Sequence, residues 1–198
     1  MIQVVLEKEV PSRRQNYIKV DVKKYNSYFG KTEVGKKYKP VLDAMLSPKG
    51  KSGHGAYRPG LVGRYYKSHD TNSKPEVRVD AKIYFDWGQN AAVQGGPKEN
   101  FSIVWEGFIR APSTGEYVFY CKVDDSATIE IDGRQILARA GTSPPIKLKS
   151  GIYTPIKIKY AEHGLMAHIQ LEWSSVSIKK QPLDSRYLFH LPAQAVAP

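Results

Sequence analysis

Asp124 and Asp125 stand side by side where the apolar alternation of residues 116–123 ends, in the stretch CKVDDSATIEIDGRQIL. Adjacent like charges repel, and no basic residue lies nearer in sequence than Lys122. Either solvent tolerates the pair in a loop, or a positive centre sits between them. The chain offers little other chemistry. GKSG, starting at Gly50, ends like a phosphate-binding loop, but the position that needs the earlier glycine holds Met45. His54, His69, His163, His168 and His190 have no metal-ligand spacing. No nucleophile elbow or cysteine–histidine signature is present, so no enzyme is expected. Cys121 alternates with apolar residues and reads as a buried, inert thiol. As the single cysteine it cannot form an intrachain disulfide. Trp105 and Trp173 are of a type that stacks on sugars, yet their phase among alternating residues assigns them to a core.

These residues must be held by strands. KIYFDW sets Ile83, Phe85 and Trp87 against Lys82, Tyr84 and Asp86. EYVFYCKV does the same with Tyr117, Phe119, Cys121 and Val123, PIKIKY with Ile156, Ile158 and Tyr160, and HIQLEW with Ile169, Leu171 and Trp173. Period two marks strands with one buried face. Asp132-Gly133, between TIEI and RQIL, is a tight-hairpin dipeptide, because both central residues of that turn need positive φ. Short strands, close turns and no long 3.6-residue periodicity predict an all-β, antiparallel β-sandwich. Its expected core includes Trp87, Trp105, Phe119, Ile131, Ile158 and Trp173.

A linker, PKGKSGHGAYRPG (48–60), separates a basic arm from this sandwich. The net charge is +11, and most of it lies before the sandwich. Arg13, Arg14, Lys23, Lys24, Lys36 and Lys37 alternate there with Tyr17, Tyr25, Tyr28, Phe29 and Tyr38. Such a mixture can contact phosphates and stack on bases. The strand-like alternation of MIQVVLEKEV and IKVDV instead favours an arm that docks on acidic protein subunits of a larger assembly, so a nucleic-acid partner is disfavoured. A two-turn helix is expected at KPVLDAML (39–46). The apolar start is too short for a signal-peptide core, and no run approaches the ~20 apolar residues of a membrane helix. The expectation is therefore no membrane insertion, with residence in a cytoplasmic assembly or on a virion or particle surface. The implied domains are residues 1–59, arm and linker; 60–190, sandwich; and 191–198, tail.

From Gly60 to about Phe189 the chain resembles the PA14 domain family. The resemblance is carried in order by GLVGRYY, IYFDWG, FSIVWEGFIRAPSTGEYVFYCKVDDSATIEIDGRQI, LKSGIYTPIKIKYAEHGLMAHIQLEW and QPLDSRYLF. It implies a β-sandwich of PA14 type with an N-terminal extended arm. It also implies that Asp124 and Asp125, joined by a cis peptide, chelate Ca²⁺, and that the ion binds sugar hydroxyls. The facing loop AEHGLMA would then contribute the Glu162 carboxylate and the His163 and Gly164 carbonyls, since calcium takes roughly 6–8 oxygens. The alternative is that the pair accepts loop N–H bonds and fixes the turn. Three features depart from the family pattern: Ser126 stands where glycine is common, ARAGTSPP follows the hairpin, and AEHGLMA is short. The resemblance implies a non-enzymatic module binding glycan or another surface within a larger assembly. A purely structural decoration of a phage-like particle, anchored by the arm and lacking a sugar site, is the alternative.

Overall fold

The structure, a computed structural model, describes residues 57–195 together with the backbone of two short strands, β1 (Gln3–Val5) and β2 (Tyr17–Lys19). Two compact units divide the chain, Met1–Ala56 and Tyr57–Pro198. In the first, β1 and β2 pair in parallel with Gln3 opposite Tyr17. The six arm residues Arg13, Arg14, Lys23, Lys24, Lys36 and Lys37, and the helix expected at 39–46, lie outside the described residues.

The second unit begins with β3 (Arg58–Pro59), β4 (Leu61–Tyr66), β5 (Glu76–Asp80) and β6 (Tyr84–Gly88). Two long strands follow, β7 (Phe101–Arg110) and β8 (Gly115–Asp124), then β9 (Ser126–Ile131), β10 (Arg134–Leu137), β11 (Gly141–Thr142) and β12 (Ile146–Leu148). The chain closes through β13 (Tyr153–Glu162), β14 (Ala167–Ser175), β15 (Gln181–Pro182), β16 (Leu188–His190) and a 3-10 turn at Pro192–Ala195. Eight strands form one sheet in the order β10-β9-β13-β7-β16-β3, with β4 beside β7 and β5 beyond β4. Six form the other, β11-β8-β14-β15, with β12 beside β8 and β6 beside β14. All ladders within both sheets are antiparallel, as the alternation predicts. No helix among the described residues is long and apolar enough to cross a membrane.

The two inner faces meet over Trp105, Trp173, Tyr117, Tyr160 and Phe119, all fully buried, with Ile131 and Ile158 beside them. Burying side chains of this size is the main drive to fold, because apolar area leaves water. The hairpin at Asp132 (φ 52°) and Gly133 (φ 73°) has the two positive φ values that its sequence requires.

Two features differ from the simple alternating picture. Trp87 is only partly buried. Its strand β6 pairs with β14 alone, and the register slips between Ala167 and His168. The indole therefore packs from the sandwich edge, against Phe85 (4.9 Å between centroids) and Tyr160 (5.8 Å). The outer face of β7 is also covered. Val104 and Phe108 fall in the opposite phase to Trp105 and Ile109, yet both are buried. Tyr57 packs edge-on against Phe108 at 5.2 Å, and Arg64 ties the C-terminal turn down through the Gln194 carbonyl (2.8 Å).

Cys121 lies in the core at 3% exposure, and burial pushes its thiol up to about 11. Thiol reagents attack the thiolate, which is scarce at neutral pH under that condition. Native protein is expected to be labelled at least a hundredfold more slowly than protein in denaturant. Comparable native and denatured rates, followed by absorbance of a released chromophore, would contradict this packing.

Candidate functional site

One end of the sandwich gathers the candidate residues, and the ladders show why. His168 is opposite Asp124, Ala167 opposite Gly88, Ala161 opposite Ser126, Glu162 opposite Phe101, and Ser102 opposite Tyr66. The loops 67–75, 89–100 and 163–166 and the turn at Asp124-Asp125 therefore leave the sheets together.

The Asp124-Asp125 peptide is cis. Asp125 Oδ2 accepts the His163 N–H (2.6 Å) and a longer bond from the Gly164 N–H (3.4 Å), and His163 Nδ1 lies 3.5 Å away. The His163 hydrogen bond is the chief reason that the Asp125 carboxyl is held below its usual range, so the group stays ionised at neutral pH. Its neighbour is held differently. The main-chain carbonyl of Asp124 accepts the Tyr160 hydroxyl at 2.6 Å, while its carboxylate makes no hydrogen bond or ion pair with another described residue.

Glu162 continues the inward phase of Ile156, Ile158 and Tyr160 and is 0% exposed. Oε2 lies 2.8 Å from the Tyr160 hydroxyl, whose single proton is contested by the Asp124 carbonyl; Oε1 makes no side-chain hydrogen bond to another described residue. Burial raises its pKa first, and the charges of Asp125 and Asp124 add to that; the Tyr160 hydroxyl and the Gly164 N–H oppose it. The turn thus has carboxylates on its outer side and a buried carboxyl beneath it.

The structure brings together all five residues singled out from the sequence: Asp124, Asp125, Glu162, His163 and Gly164. His163 and Gly164 direct N–H groups at Asp125 in this arrangement. Two neighbours from outside the facing loop, His69 and Glu99, were not assigned to the site from the sequence. His69 stacks on His163 (4.6 Å, 19°). The Glu99 carboxyl carbon is 3.9 Å from where a Cβ on Gly164 would sit. Leu165, with φ 72°, is 76% exposed, and Met166 is 46% exposed beside it. His69 and Glu99 come from distant loops, and no local periodicity links them to residues 163–166.

Calcium, which the resemblance implies, takes oxygen ligands. No group of three or more His, Cys, Asp or Glu among the described residues is arranged to hold a metal ion. An ion here would rest on the two adjacent carboxylates and be completed by main-chain or ligand oxygens. That pair is of the kind a hard cation takes: it is all oxygen and doubly negative, and the Asp124 carboxylate makes no hydrogen bond or ion pair with another described residue.

Comparison with known proteins agrees with the fold. Residues 57–186 match the profile described as PA14 domain. The anti-sigma-I factor RsgI3 of Acetivibrio thermocellus is 32% identical over 136 residues, 66% of this chain and 21% of that protein. This chain thus spans about a fifth of that relative's length. An anti-sigma factor domain-containing protein from Clostridium clariflavum superposes with a TM-score of 0.63 at 29% identity, over 66% of this chain and 47% of the other. The Epithelial Adhesin 9 A domain of Candida glabrata, solved with Galβ1-4GlcNAc, has a TM-score of 0.57 at 15% identity, over 69% and 91% of the two chains, and shares the fold alone. With two antiparallel sheets in register and a profile match from strand β3 to the segment before β16, this chain belongs to the PA14 domain family.

Proposed function

We propose that this chain is a non-enzymatic recognition module that holds a glycan through a calcium ion at Asp124 and Asp125. One observation carries the reading. Two adjacent carboxylates, one uncommitted and the other held ionised by loop N–H groups, stand at an end of the sandwich framed by loops from both sheets. Two like charges in contact are unfavourable alone and become a favourable ligand set around a divalent ion. The chemistry that calcium supplies at such a place is coordination of hydroxyl oxygens, which sugars present in pairs. Asp124 and Asp125 would hold the ion, and the 163–166 loop, pinned to Asp125, would form one wall beside it. The Candida glabrata adhesin domain solved with a disaccharide supports the ligand class.

Thermal melting in millimolar calcium and in chelator tests the ion. The wild type is expected to gain about 2.7 kcal/mol when calcium stands a hundredfold above its Kd. Asp124→Asn should lose most of that gain, because an amide brings no charge to a cation that prefers carboxylates. A glycan array probed in calcium and in chelator tests the ligand. Melting of the wild type that ignores calcium overturns the ion, and calcium-dependent melting with an empty array overturns the glycan.

A further inference from the structure

We infer that Tyr160 is a positioning residue for the candidate cation site, its buried hydroxyl fixing the main-chain carbonyl of Asp124 and so the direction in which the two carboxylates are presented. The inference rests on the calcium reading for its purpose but on geometry for its mechanism.

Tyr160 lies on β13 at 1% exposure, opposite Ala127 of β9, the strand that starts immediately after Asp125. From that rung it reaches beneath the turn. Its ring is boxed in by Trp87 (5.8 Å), Phe101 (5.9 Å) and Trp105 (6.5 Å), so the hydroxyl has little freedom to move. The hydroxyl meets Asp124 O at 2.6 Å and Glu162 Oε2 at 2.8 Å. A buried tyrosine hydroxyl has one proton to give, and the Asp124 carbonyl can only accept; with the buried Glu162 carboxyl protonated, Glu162 donates to the hydroxyl oxygen and the Tyr160 proton goes to Asp124. The turn is consequently gripped twice. From inside, Tyr160 holds the Asp124 carbonyl; from outside, the His163 N–H holds the Asp125 carboxylate at 2.6 Å. The Asp124 carboxylate makes no hydrogen bond or ion pair with another described residue. Its aim is therefore set by the main chain, and the main chain there is held by Tyr160. Groups behind a metal's ligands typically change affinity by about 10–100-fold when removed.

The test compares wild type with Tyr160→Phe, which keeps the ring and deletes the hydroxyl. In chelator, amide hydrogen exchange is read by NMR at His163 and Gly164, with the rung Tyr153–Arg110 at the far end of β13 as an internal check of the fold. In calcium, affinity is read by calorimetry. The expected result is exchange about tenfold faster at His163 and Gly164 alone, with calcium binding weakened about tenfold. A core tyrosine with no positioning role would instead leave the loop amides and the calcium affinity unchanged, which overturns the inference. Should Tyr160→Phe fail to fold, the wild-type hydroxyl proton decides: a scalar coupling across the hydrogen bond from that proton to the Asp124 carbonyl carbon supports the inference, and coupling to the Glu162 carboxyl carbon alone, or free exchange of the proton, overturns it. Faster loop exchange in Tyr160→Phe, with no calcium binding by the wild type, supports the positioning role and overturns the calcium reading.

Discussion

Replacing Asp80 by alanine is expected to lower the unfolding free energy by about 3–5 kcal/mol. Asp80 ends β5 at 7% exposure, and three donors converge on it. Tyr65 O–H and Trp105 Nε1–H both reach Oδ2 at 2.7 Å, and Arg78 Nε reaches Oδ1 at 2.9 Å. The guanidinium also lies 4.1 Å above the Tyr65 ring, so the arginine is held by packing as well as charge. Alanine leaves two buried donors without acceptors, each costing about 1–3 kcal/mol, and an arginine without its counter-charge. Asp80→Asn keeps one oxygen for the tyrosine and tryptophan but loses the charge and turns an NH2 donor toward the Arg78 Nε–H in place of its acceptor, so it should cost less than alanine but still more than about 1 kcal/mol. Urea titration with an unchanged slope is the measurement. A loss under about 1 kcal/mol for alanine would show that water can replace the carboxylate and that the network is dispensable.

Gly107→Ala is expected to cost about 3 kcal/mol for a different reason, steric exclusion. The glycine sits mid-way along β7, and a Cβ there would collide with the main-chain oxygen of Phe189 and lie 2.7 Å from a Leu61 methyl. The leucine can turn aside; the Phe189 backbone cannot without parting β16 from β7, which pair through Phe189 and Phe108. Gly115, at the start of β8, is the control, since nothing lies within 4 Å of its Cβ position. Gly115→Ala should be neutral or stabilising by a few tenths of a kcal/mol. Equal effects at the two glycines would show that the strand crossing is not tight.

Much of this was legible in the chain itself. Period-two alternation assigned Trp105, Phe119, Ile158 and Trp173 to one face because successive strand side chains point to opposite sides whatever the partner strand. Asp132-Gly133 specified its hairpin because few residues accept positive φ twice in succession. The inward phase of Ile156, Ile158 and Tyr160 extends two residues to Glu162, so the buried position of that carboxyl was implicit in the strand. The adjacency of Asp124 and Asp125 needed no structure either.

Tertiary structure decided what local period cannot carry. The slip between Ala167 and His168 left Trp87 half-buried at an edge. Tyr57 covered Phe108, and Val104 is buried too, on what the pattern marks as an outer face. Asp80 became the hub of a buried network only because β4, β5 and β7 lie side by side. At the candidate site, His69 met His163, Glu99 approached Gly164, and Tyr160 came under the Asp124 carbonyl. Those meetings follow from which rungs of distant strands stand opposite one another. Register is fixed by the fit of whole faces against the core, so the alternation names the buried side of each strand while the packed sandwich chooses which loops share an end.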